Sequence, residues 1–160
     1  MGKRELYLSL GSNLGDRAAN LTEAVRRLDE GLKMPHSAIS ELLPFPTWGF
    51  AGPDFLNCVV RYDVPEAGQD PALFAYAVLS LAKRIESEMG RKPEADGLDG
   101  LRVYHSRPID IDILFYGDLK LNEPRLTIPH KMMTFRDFVL VPLRQVASPA
   151  LRAQNPGLFA

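Results

Sequence analysis

The sequence predicts an α+β domain in which a single antiparallel sheet carries two helices on one face. Three observations predict this class. Segments of strand and helix periodicity follow the order strand, helix, strand, strand, helix, strand, which is the split β-α-β or ferredoxin-like plan. The 160 residues fit one domain spanning 1–160, and no repeat or linker divides them. The adjacent second and third strands disfavour a doubly wound sheet, in which strands and helices alternate.

The first third of the chain predicts a strand, a helix and a weaker strand. Glu5 to Leu10 alternates polar and apolar residues, and Gly11 to Asp16 has the composition of a strand-to-helix turn. Apolar residues then recur at helical spacing: Leu21, Val25, Leu28 and Leu32. Ser37 to Leu43 is the weaker strand candidate. Pro44 to Pro53 holds three prolines and two glycines, so we expect an irregular aromatic loop there.

The middle of the chain predicts a second strand-helix pair. Phe55 to Val64 is a strand with a largely apolar first half, and Pro71 suits the first turn of the following helix. The apolar face of that helix is Phe74, Val78, Leu81, Ile85 and Met89. Gly90 is the expected C-terminal cap. Arg91 to Tyr104 lacks periodicity and predicts a mobile, solvated loop.

The last third predicts one strong strand and additional C-terminal β or α elements. Ile109 to Tyr116 is the most strand-like run in the chain. A short hairpin is expected around Asn122 to Pro124, followed by an irregular turn at Pro129 and His130. A final apolar segment covers Phe138 to Val146, and the tail from Ser148 has little pattern, so we expect a frayed end.

Composition excludes several classes of protein. The chain is 46% hydrophobic and 24% charged with a net charge of −1, which argues against a disordered chain and against non-specific binding to nucleic acid or anionic lipid. No apolar run reaches the roughly 18 residues of a membrane span or resembles a signal-peptide core. Cys58 is the single cysteine, so a reducing, cytoplasmic location is expected. Thirteen prolines are an excess over the average.

Two aspartates on the strongest strand are the first candidate site. Successive side chains on a strand point to opposite faces, so Asp110 and Asp112 share one face. The apolar residues between and beside them, Ile109, Ile111, Ile113 and Phe115, are then expected on the opposite face, against the helices. Two neighbouring carboxylates repel unless a cation lies between them, and hard ions such as Mg²⁺ prefer carboxylate and phosphate oxygens. The same alternation is also typical of an ordinary half-exposed strand.

Basic residues near the aspartates favour phosphate binding. Arg107 lies three positions before Asp110, within reach of a phosphate on the same metal. The segment from Arg125 to Arg144 adds four basic side chains against one acid: Arg125, Lys131, Arg136 and Arg144 against Asp137, with His130 between them. A local positive excess beside a carboxylate pair is what a nucleoside triphosphate site needs. A solvated surface would also explain Lys131 and Arg144. The common glycine-rich nucleotide motifs are absent from the sequence.

Aromatic residues around Asn57 are the third candidate feature. Phe45, Trp48, Phe50 and Phe55 cluster near it in sequence, and Phe138 lies in the other half of the chain. Planar heterocycles are held by aromatic stacking and recognised by an amide, which can both donate and accept hydrogen bonds. An aromatic loop that closes the end of the core is the structural alternative.

Four motifs follow one another along the chain: Tyr7 to Arg17, Pro53 to Asn57, Arg107 to Leu114, and Leu126 to His130 followed by Arg136 to Leu140. Together they resemble the 6-hydroxymethyl-7,8-dihydropterin pyrophosphokinase family over about residues 5–147. The resemblance implies transfer of diphosphate from ATP to the hydroxymethyl group of the pterin, giving AMP, in folate biosynthesis. It also implies two Mg²⁺ ions with bound ATP, and two substrates as the only partners, with no nucleic acid or membrane.

The resemblance assigns a role to each matched residue. Catalytic roles are implied for Arg91, Arg107, Asp110 and Asp112, with the two aspartates as metal ligands. ATP contacts are implied for Lys83, Glu86, Arg107, Ile113, Thr127, His130 and Arg136. Pterin contacts are implied for Pro46, Trp48, Phe55, Asn57, Tyr104 and Phe138. Loops 44–53 and 91–106 are expected to close over both substrates.

Two other classes of function stay open at the level of sequence. A metal-dependent phosphoesterase would use the same carboxylates with water and would release phosphate or diphosphate. A ferredoxin-like regulatory module would bind a small molecule without chemistry and without the aspartate pair. No interface signal in the sequence argues against a monomer.

Overall fold

The computed structural model describes residues 2–46, 53–90, 108–131 and 136–159. The strands of this part of the chain are β1 Lys3–Ser12, β2 Ala38–Ile39, β3 Leu43–Phe45, β4 Phe55–Pro65, β5 Asp110–Tyr116, β6 Leu121–Asn122 and β7 Thr127–Ile128. The helices are α1 Arg17–Leu32, α2 Pro71–Glu88, α3 Asp137–Val146 and α4 Pro149–Gln154. The expected loop 91–104 and most of the loop 44–53 lie outside the described residues.

The main sheet is antiparallel, as predicted. Its strand order is β2-β4-β1-β5, and β3 pairs with β4 beside β2. The long strands β1 and β4 occupy the centre, while β5 forms one edge. The expected hairpin near Asn122 is present as the two-stranded sheet β6-β7.

One face of the sheet packs on α1 and α2 around the larger core. Alternate residues of β1, namely Leu6, Leu8 and Leu10, are fully buried in this core with the predicted apolar faces of both helices. Each helix begins at an aspartate that caps it: Asp16 accepts from the N–H of Ala19, and Asp70 accepts from the N–H of Ala72. Pro71 occupies the first turn of α2, as the sequence predicts.

The opposite face is partly covered by α3 and α4, which form a second apolar cluster with the sheet. Val139, Leu143, Val146 and Leu151 pack there against Tyr7 and neighbouring strand residues. The prediction of a frayed tail is therefore wrong. Ser148 caps α4 by accepting from the N–H of Leu151, and its own N–H donates to the Tyr7 hydroxyl. Burial against the second face orders the tail, and such burial leaves no local sequence signal.

A β-bulge corrects the predicted environment of Phe115. Along β5 the register with β1 shifts between Tyr7 and Leu8, so that Leu114 is bypassed. Before the bulge, Ile109, Ile111 and Ile113 face α1 and α2 as expected. After it the alternation is displaced: Phe115 lies in the second cluster, and Tyr116 takes the place on the helix side. The extra residue of a bulge reverses the faces of everything beyond it.

A second correction concerns Pro44, which was expected in irregular structure. Pro44 lies within the short strand β3 and pairs with Leu56 of β4. Proline is compatible with an edge strand, where one side needs no backbone donor.

Within the described residues, no helix is long and apolar enough to span a membrane.

Candidate active site

The part of the second sheet face that α3 leaves open carries the candidate site. Cross-strand pairing places Asp110 of β5 opposite Gly11 of β1, and Gly11 opposite Asn57 of β4. The next row along the strands contains Asp112, Ser9 and Val59. The carboxylate pair and Asn57, which are distant in sequence, therefore lie on neighbouring strands of one surface.

Gly11 creates the space that the Asn57 side chain occupies. A Cβ atom at Gly11 would lie 2.6 Å from Asn57 Nδ2, which is closer than real Cβ contacts allow. Asn57 is 3% exposed, and its Nδ2 donates to the carbonyl of Leu10 at 3.4 Å. Its Oδ1 is buried and has no hydrogen-bond partner among the residues that the structure describes. A buried acceptor without a partner is rare in native structures, so this atom is positioned for a ligand donor.

Aromatic side chains flank Asn57. Phe55 precedes Asn57 by two residues, on the same face of β4, and pairs with Phe45 of the neighbouring strand β3. The rings of Phe45 and Phe138 lie 6.5 Å apart at an interplanar angle of 64°. Phe138 is half-buried at the start of α3, and Pro46 is exposed directly after β3. An unsatisfied amide oxygen beside Phe55, whose strand partner Phe45 contacts Phe138, suits a planar heterocycle that carries N–H donors.

Asp110 and Asp112 are both half-buried and lie close to His130. The His130 Nε2 atom is 3.9 Å from Asp112 Oδ1. The N–H of His130 donates to the Leu114 carbonyl at 3.1 Å, which fixes the residue beside the edge strand β5. Burial lowers the pKa of His130, and the charge of Arg136 lowers it further, although Asp110 opposes both effects. At neutral pH the ring is therefore a neutral hydrogen-bond donor and acceptor.

The donor set of this site fits Mg²⁺ better than it fits a metal that protein side chains alone surround. No group of three His, Cys, Asp or Glu side chains suited to a metal occurs among the residues that the structure describes. Mg²⁺ is usually held by one or two carboxylates, substrate phosphates and water. Asp110 and Asp112 supply two such carboxylates on one face of β5.

The outer edge of β5 is held by a buried glutamate of α2. Glu86 is 4% exposed, and its Oε2 accepts from the N–H of Ile111 at 2.8 Å. Lys83 Nζ lies 3.8 Å from Glu86 Oε1, and the Lys83 side chain is 66% exposed. Glu86 therefore fixes the strand between the two aspartates. The side chain of Ile113 belongs to the helix-side core, so only its backbone is available to a ligand.

The predicted site residues divide into three groups. The carboxylate group on and beside β5 contains Asp110, Asp112, His130 and Arg136. The group around the amide contains Asn57, Phe55, Phe138 and Pro46. Lys83, Glu86, Ile113 and Thr127 belong to α2, to the helix-side core or to β7. Predicted residues outside the described part of the chain are Trp48, Arg91, Tyr104 and Arg107.

Sequence reasoning missed two further features of this site. Ser9 and Gly11 lie on the same face as the aspartates, and strand alternation against the buried leucines of β1 could have identified them. The second feature is a brace at the start of β4. Asn13 Nδ2 donates to the Pro53 carbonyl at 3.3 Å, and Arg17 donates to the Asp54 carbonyl at 2.7 Å. These two bonds hold the segment that leads into Phe55 and Asn57.

Comparison with known proteins adds independent information. Residues 7–148 match the family model described as 7,8-dihydro-6-hydroxymethylpterin-pyrophosphokinase. A 2-amino-4-hydroxy-6-hydroxymethyldihydropteridine pyrophosphokinase from Porphyromonas gingivalis is 41% identical over 155 residues, covering 94% of this chain and 95% of the relative. One from Methylorubrum extorquens is 37% identical, covering 88% and 81%. The solved structure of an HPPK-DHPS in complex with substrates shares the fold, with a TM-score of 0.59, 14% identity, and coverage of 97% and 43%.

Proposed function

Because the chain belongs to the 7,8-dihydro-6-hydroxymethylpterin-pyrophosphokinase family, we propose how its residues carry out the reaction of that family. The protein is a diphosphotransferase that moves a pyrophosphoryl group from ATP to hydroxymethyldihydropterin in folate biosynthesis. In this transfer the hydroxymethyl oxygen forms a bond to the β-phosphorus, the bond from that phosphorus to the AMP oxygen breaks, and the hydroxyl proton is released.

The observation that carries the residue assignment is the orphaned Oδ1 of Asn57. In our proposal this atom accepts a hydrogen bond from the pterin, and the Nδ2 group lies beside an acceptor on the same ring edge. Phe55 and Phe138 flank the ring. The register from Asn57 through Gly11 to Asp110 supports a pterin whose hydroxymethyl group points to the carboxylate pair.

The carboxylate pair is proposed to hold ATP together with Mg²⁺. Asp110 and Asp112 would hold the metal, which when bound neutralises phosphate charge and lowers the pKa of the attacking hydroxyl. His130 is a neutral donor toward a phosphate oxygen, since burial lowers its pKa. Arg136, whose charge acts on His130, offsets the charge that develops on the leaving group.

The remaining assignments rest on the resemblance. Nucleotide contacts are proposed for Lys83, Thr127 and the backbone of Ile113. Glu86 is proposed to act there through the β5 edge that it holds. The residues proposed on resemblance alone are Trp48, Arg91, Tyr104 and Arg107.

The strand order β2-β4-β1-β5 supports a ferredoxin-like assignment of the sheet. We further propose a monomer acting in the cytoplasm.

One assay tests the function and separates it from its rivals. The protein is incubated with ATP, Mg²⁺ and the reduced hydroxymethylpterin, and AMP is measured with and without the pterin. AMP whose formation requires the pterin is expected. Release of phosphate or diphosphate without the pterin would instead indicate a phosphoesterase, and ligand binding without turnover would indicate a regulatory module.

A variant pair tests the role of the carboxylates. Asp110→Ala is expected to abolish pterin-dependent AMP formation and to keep a normal melting temperature, because the half-buried carboxylate does not belong to the apolar core. Asp118→Ala is the matched control, since the Asp118 side chain is 80% exposed and bonds to Arg4 outside the site. Near-normal turnover of Asp110→Ala would contradict the metal assignment.

A further inference from the structure

The tip of the β6-β7 hairpin is a tight, closed turn. The N–H of Glu123 donates to the Leu126 carbonyl at 3.2 Å, and the N–H of Leu126 donates back to the Glu123 carbonyl at 3.2 Å. Only Pro124 and Arg125 lie between these two residues, and the ring of proline fixes its own φ angle. A displacement of this turn is therefore passed on to the next residue, Thr127 of β7.

Two side chains of the turn hold Tyr76 of α2. The Tyr76 hydroxyl donates a hydrogen bond to Glu123 Oε1. The guanidinium carbon of Arg125 lies over the Tyr76 ring, 5.7 Å from its centroid, which is the geometry of a cation–π contact. We call these two contacts the Tyr76 latch. Because one contact is made at the end of the ring and the other at its face, the latch fixes the hairpin tip relative to α2 in two directions.

The hairpin is attached to the protein without the latch. Leu126 and Ile128, on either side of Thr127, are buried in the helix-side core and anchor β7. Glu123 and Arg125 are both exposed, and exposed charged contacts generally contribute little stability. Since side chains alternate along a strand, Thr127 points away from the core on which its two neighbours pack. The latch therefore contributes the orientation of the hairpin surface that carries Thr127.

Both elements that the latch joins carry a proposed nucleotide contact. Lys83 follows Tyr76 by two helical turns, which is about 10.5 Å along the same face of α2. The Lys83 side chain is 66% exposed and accessible to a ligand. Near its other end, α2 holds β5 through the bond from Ile111 to Glu86. One helix is thus tied both to the hairpin with Thr127 and to the strand with the carboxylate pair.

We propose that Tyr76 is a positioning residue for the nucleotide: by holding the hairpin tip to α2, it fixes the separation between Lys83 and Thr127. This inference rests on the proposed function. The group around Asn57 is built from β3, β4 and α3, and the latch contacts none of these elements. The latch therefore acts on nucleotide affinity and not on pterin affinity.

Isothermal titration calorimetry with the Mg²⁺ complex of α,β-methylene-ATP tests the latch. Tyr76→Phe removes the bond to Glu123 and keeps the ring, so the dissociation constant is expected to rise about threefold, a typical effect of one lost hydrogen bond. The melting temperature and the affinity for the pterin, titrated into protein saturated with the analogue, should stay as in the wild type. Tyr62→Phe is the matched control, because the Tyr62 hydroxyl donates at 2.5 Å to Asp29 of α1, which the latch does not join. This control should lower the melting temperature and leave nucleotide affinity unchanged.

A second variant removes the same bond from the other side. Glu123→Ala is expected to raise the dissociation constant by the same factor, and the double variant with Tyr76→Phe should show no further loss, because only one bond is involved. Since Glu123 is exposed, Glu123→Ala also gives the test if Tyr76→Phe does not fold.

The outcomes separate this inference from the proposed function. Equal nucleotide affinity in Tyr76→Phe and the wild type would overturn the role of Tyr76, as would an equal loss in Tyr62→Phe or additive losses in the double variant. A matching loss of pterin affinity would also overturn it, because it would indicate a general structural effect. Failure of the wild type to bind the nucleotide would refute the proposed function itself.

Discussion

Replacing Gly11 with alanine should damage pterin binding while sparing the rest of the protein. The new Cβ atom would lie 2.6 Å from Asn57 Nδ2 and 3.4 Å from Phe55 Cδ1, whereas ordinary contacts begin at 3.4 Å. The amide must therefore move by about 0.8 Å, since the backbone of β1 is held by pairing on both sides. The bond from Nδ2 to the Leu10 carbonyl, already 3.4 Å long, would break or change its acceptor.

The expected magnitude follows from this displacement. Overpacking in a tightly filled region generally costs about 1–3 kcal/mol of stability. Moving the Oδ1 acceptor away from its ligand forfeits a hydrogen bond whose net value is about 1–1.5 kcal/mol, which corresponds to roughly a tenfold loss of affinity. We therefore expect the dissociation constant for the pterin to rise about tenfold, and that for the Mg²⁺ complex of α,β-methylene-ATP to stay within about twofold.

Isothermal titration calorimetry measures both constants, with the pterin titrated in the presence and absence of the nucleotide analogue. Gly31→Ala is a control for destabilisation, because its Cβ atom would lie 2.5 Å from a Leu81 methyl group in the helix-side core. Gly157→Ala is a control for the substitution itself, since its Cβ atom would have no described atom within 4 Å apart from those of the adjacent residues. Unchanged pterin affinity in Gly11→Ala, or an equal loss in Gly31→Ala, would refute the proposed role of Asn57.

Three other predictions concern stability and reactivity. Glu86→Ala should lower the free energy of unfolding by about 1–3 kcal/mol in a urea titration, because the N–H of Ile111 loses its acceptor. Glu86→Gln keeps an acceptor oxygen and should retain much of the lost stability, so equal losses in the two variants would contradict this role of Glu86. Burial raises the pKa of the Cys58 thiol to about 12, so iodoacetamide at pH 8 should modify only unfolded protein, and mass spectrometry should find native protein unmodified. Hydrogen bonds from two arginines lower the pKa of Glu23 to about 2. The ionised Glu23 therefore contributes to the free energy of unfolding above its ordinary pKa near 4.5, and this contribution is lost as the pH falls toward 2. In an acid titration the wild type should therefore lose more stability than Glu23→Gln in that range.

Much of the fold was predictable because its signals are local. Alternation identified β1, a largely apolar run identified β4, helical spacing identified α1 and α2, and Pro71 identified the start of the second helix. These patterns act over a few residues of contiguous chain. The α3 and α4 helices were harder to assign, because their stability comes from packing on the second sheet face.

The bulge in β5 marks the limit of reasoning from alternation. The period of two placed Asp110 and Asp112 correctly on one face, opposite Ile111 and Ile113. It misplaced Phe115, because one bypassed residue reverses every face that follows. A bulge depends on how two distant strands pair, so no pattern within β5 reveals it.

The sequence alone determined the chemical content of the site: a carboxylate pair, a basic neighbourhood, an amide and aromatic rings, each within a contiguous motif. The tertiary structure decided which of these groups meet. Only the pairing of β1 with both β4 and β5 brings Asn57, Gly11 and Asp110 into one row and leaves Ser9 beside Asp112. Side-chain chemistry belongs to single residues, whereas proximity across strands depends on register, which the whole buried sheet determines.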